Sequence, residues 1–401
     1  MMNRRLIGFL AACLLLAPAT GAVASEGIQL GPTLLFPVLS VTGTYDDNIG
    51  LSSDDNNPES GWVTSIAPSL RVVMPVRHLY LNAEGGLDFL SYQNADQDNS
   101  TNWFVGAAVG ADFPGGLSFK IADKHVQQYL ISSQEYGPGE DSTVNTLSAM
   151  VAYAIRSALR LELSGLRVAP TFDESVSRSR VETTVQADLY WKFRPAISGL
   201  VEGSYELYEY DSNTAQNSSA TQVALGLTWD VTARSTGFAK AGFQWKRYDD
   251  ENLSDGIENG SYYILSAGGR YSFTQRTVLA IELSRESRES DFQDNPYSLR
   301  TAAGASLSQR LTPKIYGRAS VRYGRDEYPN ATNYDNPYDT ASGLESGERT
   351  DTTLAGSVSL GFDVTRWLSL ELTCGGERRD SSFDTFDYEA TRVTLNAKAA
   401  F

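Results

Sequence analysis

The side chains able to do chemistry fall into two groups, one sparse and one periodic. The sparse group is His78, His125, Cys13 and Cys374, and its spacing would hold no metal ion. His125 sits inside a strand-like run beside Asp123 and Lys124, and one imidazole without a nucleophile at hand is a poor start for hydrolysis. No catalytic residue, cofactor or metal is expected. The periodic group is larger. In VETTVQADLYWKF, Glu182, Thr184, Gln186, Asp188, Tyr190 and Lys192 make one row; Val181, Thr183, Val185, Ala187, Leu189, Trp191 and Phe193 make the other. Comparable polar rows hold Tyr80, Lys120, Arg160, Glu162, Glu202, Glu206, Lys240, Arg270, Arg318, Arg322, Arg392 and Lys398. Rows of this kind bind and steer polar solutes by charge and hydrogen bonding. Their mixed sign argues against strong ion selectivity. Tyr80, Tyr190, Tyr208 and Tyr316 add rings that could stack on carbohydrate, or simply fill space.

Period two is the signature of a β-strand, whose successive side chains point to opposite faces. So many charges cannot sit in a dry interior, so one face needs water. The other face carries Leu, Val, Phe and Trp and needs an apolar neighbour. A closed barrel of about sixteen to eighteen strands supplies both, with a wet lumen inside and lipid outside. The chain is therefore predicted to be all-β, a transmembrane antiparallel up-and-down β-barrel of about 18 strands, with 16 as the alternative. Candidate strands run from roughly 37–49 to 387–401, and include 143–156, 314–328 and 349–365.

The connections support this topology. Short ones such as Pro75-Val76-Arg77-His78 and Phe113-Pro114-Gly115-Gly116 alternate with long acidic ones such as DDNIGLSSDDNNPES. Outer-membrane barrels have short periplasmic turns and longer outer loops. A sandwich or propeller gives no reason for strict alternation. The long loops either face solvent or are bridged to lipopolysaccharide by divalent cations. The longest, 329–350, either folds inward or projects outward.

Aromatics gather near strand ends, among them Trp103, Phe113, Trp191, Phe193, Trp229, Trp245 and Phe273, as girdles at headgroup level would require. Trp367 departs from this, since its parity places it on a polar row. The N-terminus reads as a signal peptide over residues 1–24: Asn3-Arg4-Arg5, an apolar run, then Ala22-Val23-Ala24. Leu10-Ala11-Ala12-Cys13 is a weaker lipobox-like alternative. A short periplasmic segment is expected over 25–36 and the barrel over 37–401. Outside the N-terminus no run approaches the roughly 18 apolar residues of a membrane helix. Removing residues 1–24 takes two arginines from a chain of formal net charge -16 and leaves Cys374 on an apolar row, with no disulfide to make. No nucleic-acid partner is expected.

The stretch VTGTYDDNIGLSS, with Tyr45, Asp46, Asp47, Asn48 and Ile49, followed by SIAPSLRV with Ala67-Pro68-Ser69-Leu70, resembles an outer-membrane β-barrel porin family associated with exopolysaccharide operons. The resemblance implies a barrel in the bacterial outer membrane that takes part in polysaccharide export, with periplasmic and inner-membrane export proteins as partners. The terminal Phe401 on an alternating strand resembles the signal by which such proteins engage the barrel assembly machinery. General diffusion of small polar solutes, and a structural or adhesive barrel, are the other readings. An outer-membrane enzyme has only His125 in its favour.

Overall fold

The computed structural model describes residues 27–53, 58–93, 99–132, 138–212, 214–232, 234–249, 259–290, 295–334 and 345–401. The strands are β1 Ile28–Leu30, β2 Thr33–Asp46, β3 Gly61–Val76, β4 Leu79–Gln93, β5 Ser100–Asp112, β6 Leu117–Ser132, β7 Pro138–Arg156, β8 Leu159–Phe172, β9 Arg180–Arg194 and β10 Ile197–Tyr210. They continue as β11 Ser218–Thr232, β12 Ser235–Tyr248, β13 Gly260–Ser272, β14 Thr277–Glu289, β15 Tyr297–Arg310, β16 Ile315–Tyr334, β17 Glu345–Asp363, β18 Leu368–Ser381 and β19 Tyr388–Ala400. Each of β2 to β19 pairs antiparallel with its sequence neighbours, and β19 closes on β2 from Arg392↔Asp46 to Ala400↔Val38. The result is a closed barrel of 18 strands plus one extra short strand, β1.

Closure pairs the edges of β2 to β19, which a hydrocarbon environment demands because it offers no hydrogen-bond partner. The side chains divide as the period-two pattern requires. On β9, Val185, Leu189, Trp191 and Phe193 are exposed while Gln186 and Asp188 are buried. Leu225 is 64% exposed and Asp188 only 2%. Such a distribution inverts that of a water-soluble domain and fits a protein whose outer solvent is lipid. Cys374 faces outward with Leu370 and Leu372.

Strand boundaries depart from the sequence reading in one systematic way: some strands are longer at the outer end. β7 begins at Pro138, β16 runs to Tyr334 and β17 begins at Glu345. Much of the expected loop 329–350 is thus strand, paired from Ala331↔Glu348 to Tyr334↔Glu345; residues 335–344 lie outside the described residues. The expected periplasmic segment 25–36 holds β1 and the start of β2. Leu34 to Phe36 stay extended because β3 continues to pair with them below the end of β19, and β1 pairs with Thr33 to Leu35. The signal-peptide region falls outside the described residues.

Turns explain the sharp reversals at the short-loop end. Gly116 has φ +83°, a left-handed conformation that favours glycine, and a Cβ there would stand 2.9 Å from that of Ala154. Trp367 sits at the turn before β18, outside the alternation, and stacks on Phe401 with ring centroids 5.5 Å apart. Its parity therefore says nothing about the lumen.

Candidate lumen and outer clasp

The inward rows border a cavity of about 1660 Å³ that reaches the short-turn end of the barrel. Of the residues singled out in the sequence, Arg160, Glu162, Asp188, Tyr190, Lys192, Glu202, Lys240, Arg270, Arg318, Arg322 and Arg392 line it. Five lie elsewhere. Tyr80 lies against Gly110, at the place a Cβ there would occupy. Lys120 pairs in register with Gly110 and Met150. Glu182 accepts from Arg180 at 2.8 Å and Glu206 from the Tyr208 hydroxyl at 2.8 Å, both nearer the long-loop end. Lys398 is in register with Ser40 and Ser369.

The wall has two unlike sides. On β8 to β10, Glu162, Asp188 and Glu202 are all buried. Arg160 donates to Glu162 at 2.9 Å, Gln186 to Asp188 at 2.9 Å, and Lys240 and Gln222 to Glu202 at 2.7–2.8 Å. This network keeps the carboxylates hydrogen-bonded where water is scarce. On β13 to β16 and their turns, Arg270, Arg276, Arg310, Arg318 and Arg322 face the cavity with Glu282 as the one acid on those strands that lines it. In all, ten Lys or Arg and eight Asp or Glu line the cavity. Its near balance means the chain's negative excess lies elsewhere, mostly in the long acidic loops.

Above the cavity the strand ends are tied by three clusters that the sequence reading did not assemble. Lys246 is buried against the rings of Tyr208 at 4.5 Å, Tyr248 at 5.5 Å and Tyr297 at 5.9 Å, and pairs with Glu289. Arg349 is fully buried, lies 3.5 Å from the Phe386 ring centroid and 4.8 Å from that of Tyr328, and donates to Asp351 at 2.6 and 2.9 Å. Arg178 pairs with Glu140 at 2.5 Å and covers the Phe172 ring at 4.2 Å. Arg349 and Asp351 two residues apart on a strand share a face, which was the available signal. Their aromatic partners, Tyr328 on β16 and Phe386 in the turn between β18 and β19, come from other elements, which was not.

The Tyr-Asp-Asp-Asn-Ile motif also acquires a role. Asp46 accepts from Arg392 Nε at 2.6 Å, and Asp47 from the Thr391 backbone N–H at 2.6 Å. Asn48, 1% exposed, donates through Nδ2 to the carbonyls of Ser52 at 2.8 Å and Glu389 at 2.9 Å; its Oδ1 accepts from the Ser52 N–H at 2.9 Å. Ile49 is buried and its N–H reaches the Glu59 carbonyl at 2.9 Å. The motif thus clasps the first barrel strand to the last at the outer end, in addition to forming an Asp/Asn turn.

His125 has no place in a reaction centre of the lumen. It is paired in register with Val105, an outward residue, and stacks on Trp103 at 5.1 Å. The lumen itself is lined by hydrogen-bonding groups.

A family model described as "Putative beta-barrel porin 2" matches residues 21–401. No curated protein matches the chain. Among solved structures, the chain is similar to Pseudomonas aeruginosa OpdK with vanillate, at 12% identity, TM-score 0.48, covering 92% of this chain and 99% of that one. It is also similar to Acinetobacter baumannii OccAB4, at 11% identity, TM-score 0.48, covering 92% and 98%. Pseudomonas aeruginosa OprD gives 9% identity, TM-score 0.46, with 94% and 98% covered. An 18-stranded barrel that is greasy outside and charged within is an outer-membrane channel of the bacterial envelope, and this chain belongs to the family described as "Putative beta-barrel porin 2".

Proposed function

We propose that the barrel is a passive channel for hydrated polar solutes, and that the path runs through the cavity lined by the buried carboxylates of β8 to β10 and the arginines of β13 to β16. The observation that carries this reading is the charged, hydrogen-bonding wall of a cavity of about 1660 Å³. Hydrated groups of both signs keep water in the passage and exclude apolar solutes. Purified barrel in a planar bilayer is expected to give stepwise conductance, and liposomes carrying it are expected to swell in small sugars and less in larger ones. Arg318→Glu with Arg322→Glu is expected to move the reversal potential toward cation preference. A silent bilayer together with absent swelling would refute the channel.

Export of a polysaccharide is the finer reading, and the TyrAspAspAsnIle resemblance and two cavity tyrosines, Tyr190 and Tyr316, favour it. Aromatic faces suit passing sugar rings. Deletion of the gene is expected to trap polymer in the periplasm under this reading, and normal secretion by the deletion strain would remove it. Periplasmic export proteins would then be partners, and lipopolysaccharide would surround the outer loops.

Phe401 is proposed as the assembly signal. Its ring stacks on Trp367 and its N–H donates to the Pro37 carbonyl at 3.1 Å, so the last residue is held beside the first barrel strand. Deleting Phe401 is expected to reduce the amount of heat-modifiable barrel in the outer membrane several-fold. Unchanged abundance would leave the residue only a packing role.

A further inference from the structure

Between the aromatic girdles the outward rows are mostly Leu, Val, Ile, Ala and Gly, and β6 to β8 interrupt them. Asp123 pairs in register with Ala107 and Leu147, and Leu147 pairs with Arg167. Leu147 is exposed on the lipid-facing side, so Asp123 and Arg167 share that face. Asp123 lies four residues to the periplasmic side of the level of Trp103 and six beyond Leu117, where β6 begins. His125, stacked on Trp103, and Asn145, its register partner, complete the patch. Within the patch, Asn145 Nδ2 donates to Asp123 at 2.9 and 3.3 Å. Neither a salt bridge nor a hydrogen bond joins the Arg167 side chain to another of the described residues.

Hydrocarbon gives these groups nothing to bond, and charges on the lipid face of a barrel are destabilising. Acyl chains would give neither charge a counter-ion. An anionic headgroup would suit Arg167 and His125 but would meet Asp123 with like charge. A second copy of the same surface answers both. With a twofold axis along the membrane normal at Leu147, Asp123 of one copy comes against Arg167 of the other, and the contact is made twice. The three residues occupy adjacent strands in one row that strand tilt inclines by about 40° to the membrane plane. Acid and base therefore lie on either side of the axis about 10 Å apart along the row, and the partners across the axis differ in height by about 6 Å, a gap the long Arg167 side chain spans. Ala107, Ala149 and Gly165 on the same rows present little side chain, which lets two barrel walls approach closely. Exposed Val105, Val151 and Leu163 supply the apolar surround.

We propose that the chain forms a twofold dimer through the outward faces of β6, β7 and β8, held by reciprocal Asp123–Arg167 pairs. The test begins with Leu147→Cys in a Cys374→Ser background, oxidised with copper phenanthroline in the membrane. A disulfide-linked dimer is expected, whereas Val358→Cys on β17 in the same background is expected to stay single. Equal cross-linking of the two positions would overturn the proposal. A second measurement uses mass in mild detergent, with heat-modifiable mobility as proof of folding. Arg167→Asp is expected to give single barrels, and Arg167→Asp with Asp123→Arg is expected to restore the pair. A wild-type chain that is single both in detergent and in membrane cross-linking, or a charge swap that fails to rescue, would also overturn it.

Discussion

Replacing Asn48 by alanine is expected to lower the unfolding free energy of the barrel by about 3 kcal/mol, from about 1 kcal/mol for each of three hydrogen bonds lost at a buried site. The three are the bonds from Nδ2 to the carbonyls of Ser52 and Glu389, and the bond that Oδ1 accepts from the Ser52 N–H. No water replaces them readily, because the residue is 1% exposed. Asn48→Asp keeps the acceptor but sets a carboxylate oxygen against the carbonyls of Ser52 and Glu389 at a buried site, so it should be no more stable than alanine. The urea midpoint of barrel refolded into lipid vesicles measures this. A shift no larger than that of an exposed loop substitution such as Ser212→Ala would show that the clasp contributes little to closure.

Arg349→Leu is expected to have an effect of similar size, about 3–5 kcal/mol, because it strips the counter-charge from a buried carboxylate. Asp351 would keep the hydrogen bond from Ser381 Oγ at 2.7 Å and the more distant charge of buried Arg379. The ring of Tyr328 would also lose the Arg349 guanidinium, and that of Phe386 would lose the nearer of two, keeping Arg379 at 5.9 Å. The consequence should be local first: the segment around Phe383 and Phe386, which packs with Tyr328, should become open to protease in folded barrels. Arg349→Leu with Asp351→Leu should lose less stability than Arg349→Leu alone, since neither charge is then stranded. If the double variant is the worse of the two, the pair does not act as a unit.

The central part of each strand was readable from the sequence, and the outer ends were not, for a physical reason. Alternation is imposed where one face meets lipid and the other meets water. The membrane-crossing portion of β9 obeys it from Val185 to Phe193, and the limits that the alternation predicts, roughly 178–194, lie within two residues of the observed ones. Where β16 and β17 extend past the membrane, both faces meet water, so Pro329 to Tyr334 and Glu345 to Glu348 carry no period and read as loop. β1 is three residues long and offers no pattern to detect.

Parity could likewise place Glu202 and Lys240 on inward rows. It could not say that they meet, since that depends on how three neighbouring strands are staggered. The same limit hid Lys246 among its tyrosines and Arg349 among its aromatic partners. For Asp123 and His125 the alternation gave no warning, because charged residues on an outward row look like ordinary irregularity until the register fixes which side they face. The tie between Asn48 and Glu389 was beyond any local pattern.

That tie joins residues 341 positions apart in the chain. The two strands it unites can meet only after every intervening hairpin has formed, so shutting the cylinder is the most non-local event in folding and should be among the slowest. Until then β2 and β19 each present an unpaired edge, a template for stray strands. The nascent polypeptide therefore needs shelter for as long as that gap stays open.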